Sequence, residues 1–580
     1  MNATPDNLIA DQVLAVRRYA GAWLRADWGF VRVTGPDAAS WLQTQTTNNV
    51  TSLDSGQGHP SAHLDRKAHV IAAFSLHHWE DEYWMLVPAA SCDALLASLD
   101  AHLFLEKAEL HDDSDDLEQV VLQGPRALAV VLACDPGAAR DLPTKPFGVA
   151  PVLIDGLQAL AFRINVSGED GFVFLTERGE GSALLDRLYA RGAAVVEPEA
   201  REVLRIEAGI PRVGVDFSAE NRLPETTLER LAVDYGKGCY VGQEVVAKMK
   251  AYTPPKFALM GLVLAEDSPL FDSGTPLFLD EERFGALRSR CYSPTLNTPI
   301  AIAYVERIHR APGARYSLQF GEGGPLVDTR IVALPFVEPA PPMERAQALY
   351  NEALSKFEQD ADDTDETAIQ LLQEAVLTAP DFEDAYESLG VILNRHGRVD
   401  EAIAVMETLA EMNPNCIMAH TNLSVFYMQQ GRIEDAEEEK AKAAVLQIAE
   451  VRQQRKAADI AAEERTRIEQ EARGRIAMFA EVLEIDPEDP LATFGMGAAH
   501  MQLQSYAEAV PYLEQATKVQ KDYSAAFLNL GKCHEFMGNT AGAIAAYRAG
   551  IAAANRKGDL MPMREMERRL KGLEETAAGC

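Results

Sequence analysis

The stretch Lys237-Gly238-Cys239-Tyr240-Val241-Gly242-Gln243-Glu244 sets the reading of this chain. Two glycines four residues apart permit backbone angles and close approaches that a side chain would block. A thiol, an aromatic ring and a lysine gather around them, and an amide and a carboxylate follow at once. So many polar groups on a flexible turn suit a site better than a core segment. No Gly-Lys-Ser/Thr closes the stretch, so it is not a phosphate loop. The third glycine of a dinucleotide fingerprint would fall one residue earlier. Taken alone, the segment reads more readily as a structural turn carrying a buried cysteine.

Outward from this stretch, 580 residues are too many for one core, so three or four domains are expected. A net charge of −34 disfavours a sequence-independent grip on phosphates, so no direct nucleic-acid partner is expected. No apolar run approaches the ~20 residues of a membrane helix, and no membrane partner is expected. The start, Met1-Asn2-Ala3-Thr4-Pro5-Asp6, lacks the basic and apolar regions of a secretory signal, and a cytoplasmic location is expected. The cysteines at 92, 134, 239, 291, 416, 533 and 580 are scattered, and no pair has zinc or redox spacing. No intrinsic metal site is expected. Any iron–sulfur cluster would need ligands from a partner as well.

Residues 1–118 and 119–254 read as two α+β units, the second ending in the glycine–cysteine stretch. Segments such as Phe30–Val33 and Tyr83–Val87 are strand-like, and a helix is predicted from Asp37 to Gln45. From 255 to 337 short apolar runs (Leu259–Leu264, Pro299–Val305, Thr329–Leu334) separated by Gly and Pro turns suggest a small β-barrel. The Pro-rich run 338–342 is a stiff linker.

Beyond it, residues 343–580 are helical and periodic. Ala368, Ala402 and Ala436 succeed one another at 34 residues, as do Pro380 and Pro414, Leu389 and Leu423, Gly397 and Gly431, Gly497 and Gly531, and Ala509 and Ala543. That period, with small residues where helices touch, is the tetratricopeptide signature. An insertion near 437–485, poor in Gly and Pro, is expected to form a long exposed helix. The fold class expected is therefore multidomain: α+β N-terminal domains with a small β-barrel, then an all-α repeat solenoid. Its concave surface would bind client or scaffold proteins.

With the motif Lys237 to Glu244 stand Trp41-Leu42-Gln43-Thr44-Gln45-Thr46-Thr47-Asn48-Asn49-Val50, Leu64-Asp65-Arg66-Lys67, Ser167-Gly168-Glu169-Asp170-Gly171, Leu204-Arg205-Ile206-Glu207-Ala208-Gly209 and Pro335-Phe336. On these, residues from about 20 to 340 resemble the folate-binding YgfZ family, relatives of the glycine-cleavage T-protein. The resemblance implies T-protein-like domains and tetrahydrofolate, or a derivative, as cofactor. It implies a role in iron–sulfur cluster assembly or repair, and so indirectly in transfer-RNA modification. Cys239 then carries the chemistry, with Lys237 expected to lower its pKa and Gln243 and Glu244 to meet a bound ligand. Cys239 would also be a cluster ligand shared with a partner. By resemblance to the T-protein, Glu169 and Arg205 would bind the pterin; the structural alternative is a turn carboxylate and an ion-pair arginine. His63, His69, His77 and His78 show no metal spacing and read as structural.

The sequence departs from the family pattern in three places. Ala68 stands where a glycine is usual, and Lys248 where an arginine is common. Ala72 and Ala73 occupy the places of two T-protein aspartates, one of them needed for catalysis. Without that carboxylate, aminomethyl transfer loses its acid–base and electrostatic help. The chain therefore reads as an assembly factor rather than a transferase. A tetrahydrofolate-dependent aminomethyltransferase is the first alternative, and a non-enzymatic scaffold the second.

Overall fold

The computed structural model describes residues 7–357 and 362–578; Met1 to Asp6 and Cys580 lie outside the described residues. The chain divides into two compact units, residues 1–437 and 438–580.

The first unit opens with eleven strands: β1 (Gly21–Leu24), β2 (Trp28–Thr34), β3 (Gln57–Leu64), β4 (Val70–Trp79), β5 (Glu82–Pro88), β6 (Glu109–Asp112), β7 (Leu117–Gln123), β8 (Val149–Ile154), β9 (Leu157–Phe162), β10 (Gly171–Glu177) and β11 (Ala194–Val195). They form two sheets, ordered β3-β4-β5-β2-β6 and β11-β1-β7-β10-β9-β8. All pairings in the first are antiparallel, and in the second only β1–β11 is parallel. Strand β1, early in the chain, pairs with β7 and β11 of the second sheet rather than joining the first.

Eight helices accompany the strands: α1 (Asn7–Arg18), α2 (Ala38–Gln45), α3 (Ala89–Asp100), α4 (Ala127–Cys134), α5 (Gly181–Ala190), α6 (Pro198–Glu207), α7 (Glu229–Ala232) and α8 (Gln243–Ala251). Alternation along the strands sorts side chains between layers. Val31, Val33 and Met85 pack with Trp41, Leu42, Leu95 and Leu99 of α2 and α3. Val120, Leu122, Phe172 and Phe174 pack with Val131, Leu184 and Leu188 of α4 and α5. The intervening residues Phe30, Leu86, Val121 and Val173 share a third core between the two sheets. Asp37 precedes α2 but makes no cap bond; its Oδ2 accepts the Lys107 N–H at 2.8 Å.

A closed six-stranded barrel follows, of β12 (Phe257–Leu264), β13 (Pro276–Leu279), β14 (Glu282–Ser293), β15 (Thr298–Glu306), β16 (Arg315–Phe320) and β17 (Leu326–Val332). On β15, Ala301, Ala303 and Val305 fill the barrel core. Ile300, Ile302 and Tyr304, on the other face, pack against Ile206 of α6. Each fully buried Ile or Val among them contributes about 1.5–3 kcal/mol.

The repeat helices of the first unit are α9 (Pro342–Phe357), α10 (Asp362–Thr378), α11 (Glu383–Arg395), α12 (Val399–Met412) and α13 (Ile417–Gln429). Ala368, Ala402 and Ala436 are fully buried, and Gly397 and Gly431 share φ +76°, so the sequence period is a backbone period. These helices rest on the α+β region through charge. Arg345 of α9 pairs with Asp170 at 3.2 Å, and the Arg163 guanidinium donates to the Leu377 carbonyl at 3.1 Å. Buried Glu374 lies 3.1 Å from Arg126 Nε, off the hydrogen-bonding line. The chain continues into α14 (Ile433–Ile485), one 53-residue helix. The second unit holds α15 (Pro490–Gln502), α16 (Tyr506–Val519), α17 (Ser524–Phe536), α18 (Thr540–Lys557) and α19 (Leu560–Ala578). There Gly497 and Gly531 leave room for Leu513 and Tyr547, which an added Cβ would meet at 2.5 and 2.2 Å.

Candidate functional site

The turn before α8 is held by two distant stretches. Val241 N–H donates to the Thr44 carbonyl at 3.3 Å, and Asp234 N–H to the Thr47 carbonyl at 3.1 Å. Lys237 turns inward, its Nζ donating to the carbonyls of Thr46 (2.6 Å) and Asn48 (2.7 Å), 5.3 Å from the Tyr240 ring centroid. Tyr240 is buried beside Leu64, Ala68, Val70 and Val246. Gly242 is left-handed (φ +83°) and opens α8; a Cβ there would stand 2.7 Å from the Asp65 carbonyl oxygen. Segments 41–50, 64–68 and 237–244 thus converge on one corner.

Cys239 faces out of this corner. It is the one exposed thiol among the described residues, and there it makes no hydrogen bond. Gln243 and Glu244 begin α8 with side chains free of hydrogen bonds among the described residues, Glu244 exposed. Gly238 has open space where a Cβ would stand, so only one of the two glycines is required by geometry. The Lys237 ammonium is spent on two carbonyls, and burial pushes its pKa down to about 8. The lysine clamps the turn.

Glu169 and Arg205 stand in separate ion-pair networks. Arg17 of α1 bonds Glu169 Oε1 through Nη1 (3.0 Å) and Glu207 Oε2 through Nε and Nη2 (3.0 and 2.8 Å). Glu207 in turn accepts from Ser293 and Thr295 of the barrel region at 2.5 and 2.9 Å. Burial pushes the Glu169 carboxyl up, against the pull of Arg17. All five N–H groups of Arg205 are used: both Glu202 oxygens (3.0 and 2.7 Å), Asp216 (2.7 Å), the Ile210 carbonyl (2.5 Å) and Ser289 (2.6 Å). Both networks tie α6 to β14 or the turn that follows it. A guanidinium with no N–H left has no hydrogen bond to donate to a pterin.

The remaining marked positions are accounted for locally. Ala68 keeps the left-handed turn of the expected glycine (φ +65°), with Asp65 accepting from the backbone of Lys67 and His69. Ala72 and Ala73 lie on β4 opposite His63 and Ala62 and place no polar atom there. His63 bonds Gln45 O and Ser98 Oγ, His69 bonds Asp65, His77 bonds Phe147 O, and His78 bonds Leu53 O. Among the described residues no three His, Cys, Asp or Glu side chains converge as a metal site. Helix α8 also borders a cleft of about 620 Å³ against the barrel, whose five cations come from four separate stretches of the sequence. No motif announced it; Lys248 was noted only as a family substitution.

This architecture matches known proteins. Residues 3–237 match the GCVT N-terminal domain, and residues 258–338 the glycine cleavage T-protein C-terminal barrel domain. An aminomethyltransferase of Thermus thermophilus is 31% identical over 336 residues, covering 57% of this chain and 90% of that protein. The chain belongs to the glycine cleavage T-protein family. Another relative of this T-protein region, an aminomethyltransferase of Streptomyces avermitilis, is 29% identical over 341 residues, 56% of this chain and 88% of its own. The crystal structure of glycine cleavage system aminomethyltransferase T from Bartonella henselae shares the T-protein fold (TM-score 0.51, 23% identity, 57% of this chain and 90% of that one). Fused to the T-protein region are segments matching tetratricopeptide repeats, at 366–415, 393–458 and 494–557. No described helix is long and apolar enough to cross a membrane.

Proposed function

We propose that this T-protein family member is a YgfZ-like factor of the cytoplasm that assists assembly or repair of iron–sulfur clusters. Transfer-RNA modification depends on it only indirectly, through clusters in the modifying enzymes. The observation that carries the reading is the outward-facing thiol of Cys239, free of hydrogen bonds among the described residues, on a turn fixed from behind by Lys237 and Gly242. A thiolate is the metal-binding form of cysteine, and access decides which cysteine reacts. One thiolate fills one of a cluster's four protein positions, so the cluster is cargo held jointly with a client. Gln243 and Glu244, beside it on α8, face the same client. The repeats hold client or scaffold proteins near the T-protein region.

Tetrahydrofolate or a derivative is the small molecule that this reading implies. The pair Glu169 and Arg205 does not fit the pterin as free partners, because Arg205 has no donor left and Glu169 has given Oε1 to Arg17. No step is routed through the folate here.

The test is replacement of Cys239 by Ser in cells whose cluster enzymes depend on this protein. The variant folds and fails to rescue those enzymes; equal rescue by variant and wild type rejects the proposal. The names of the relatives support a second reading, tetrahydrofolate-dependent aminomethyl transfer. Ala72 and Ala73 weigh against it, since neither supplies a carboxylate. One-carbon turnover that survives Cys239→Ser would favour that reading.

A further inference from the structure

The chain carries a net charge of −34, yet the cleft of about 620 Å³ between α8 and the barrel is lined by five cations and one carboxylate. Arg222 comes from the turn before Leu223, Lys248 from α8, Lys256 from the connection to the barrel, and Arg283 and Arg288 from β14. The carboxylate, Glu225, is turned to its own segment, accepting from Asn221 and the Arg222 N–H. Lys256 pairs with Glu306 at 3.4 Å, but Arg222, Lys248, Arg283 and Arg288 form no ion pair among the described residues. Unpaired cations gathered on one concavity of an acidic protein repel one another, so the arrangement costs stability unless an anion enters.

A second observation points to a ligand. Tyr304 is 5% exposed, lines the cleft, and its hydroxyl has no hydrogen-bond partner among the described residues. The Arg288 guanidinium lies 5.2 Å from the Tyr304 ring centroid, and its buried Nε–H is also unpartnered among them. A native interior rarely leaves such groups unsatisfied, each costing about 1–3 kcal/mol.

We infer that this cleft binds an extended oligocarboxylate chain. Three features choose that class. The volume is that of a small-molecule site rather than of one phosphate. The cations are spread over separate segments instead of focused on one point. Three of the five are arginines, whose planar forks match carboxylates two bonds at a time. Two sources share this chemistry, a γ-linked oligoglutamyl tail on a reduced folate and an α-linked acidic peptide segment. The first source, though not the cleft's anion preference, rests on the proposed folate reading.

The test uses the full chain and calorimetric titration with free penta-γ-glutamate and penta-α-glutamate. At least one binds saturably, about tenfold more weakly in Lys248→Ala/Arg288→Gln and in Tyr304→Phe, and more weakly again in 0.5 M salt. An unchanged melting temperature certifies each variant's fold. No saturable binding at millimolar peptide, or equal binding by wild type and variants, overturns the inference. Tripolyphosphate or single-stranded RNA binding more tightly than either peptide, and lost in the same variants, overturns it too. Preference for the γ-linked peptide assigns the folate tail and for the α-linked one an acidic protein segment; either supports the cleft. Peptide binding without any binding of tetrahydrofolate monoglutamate upholds the cleft while removing the folate reading. Monoglutamate binding without peptide binding does the reverse.

Discussion

Arg205 on helix α6 and Cys239 on the turn before α8 are both marked by the sequence for ligand chemistry, and their side chains have opposite fates. On α6 every N–H of Arg205 is matched by a protein acceptor. At the turn Cys239 is matched by nothing among the described residues, while Lys237 beneath it is fully engaged. A polar residue in a family motif is available for chemistry only when the fold leaves it unsatisfied. Satisfied, it holds elements together.

The largest effect separating the two regions is expected from Arg205→Ala. It strands Asp216, which is fully buried, and Glu202, so unfolding free energy should fall by about 3–5 kcal/mol. Denaturant unfolding reads this directly, and loss of ligand binding with no loss of stability would break the contrast. Next come the two glycines of the turn. Gly242→Ala combines a left-handed alanine with a 2.7 Å contact to a backbone oxygen, and should cost about 2–4 kcal/mol. Gly238→Ala meets open space and should stay within about 0.5 kcal/mol.

Lys237 supplies a pH signature. Its folded pKa, about 8, lies below its unfolded value, so the unfolded chain binds more protons between about 8 and 10.5. Its contribution to stability is complete above the unfolded pKa and is lost as pH falls through about 8. Relative to Lys237→Met, which leaves the Thr46 and Asn48 carbonyls unpaired but does not titrate, the wild type should gain on the order of 1–3 kcal/mol across that window. A flat difference would mean that the two carbonyl bonds offset the cost of burying the ammonium. The smallest effect belongs to Cys239→Ser, within about 0.5 kcal/mol of wild type. In a Cys580→Ser background the same change should remove the fast phase of thiol labelling under native conditions; a fast phase that persists would put the reactive sulfur elsewhere.

Much of the fold was legible for a physical reason that differs between the halves. In the repeats each helix touches its sequence neighbours, so small residues recur wherever backbones approach. Ala402 and Gly497 could be placed from spacing alone. In the α+β region, two-residue alternation marked β2 and β5, but β1 joins a sheet whose other strands begin nearly a hundred residues later. Nothing local in Gly21–Leu24 encodes that partner.

The motifs pointed to relatives of the T-protein, the family shown, and singled out Cys239, Lys237, Glu169 and Arg205 by residue type. Type fixes which bonds a side chain can make, and so it is written in the sequence. Which bonds it does make depends on atoms brought from elsewhere: the carbonyls of Thr46 and Asn48 for Lys237, Asp216 and Ser289 for Arg205, and, among the described residues, no partner for Cys239. The cationic cleft is wholly of that second kind, because charges on four separate stretches become one field only when folding lines a single cleft with them.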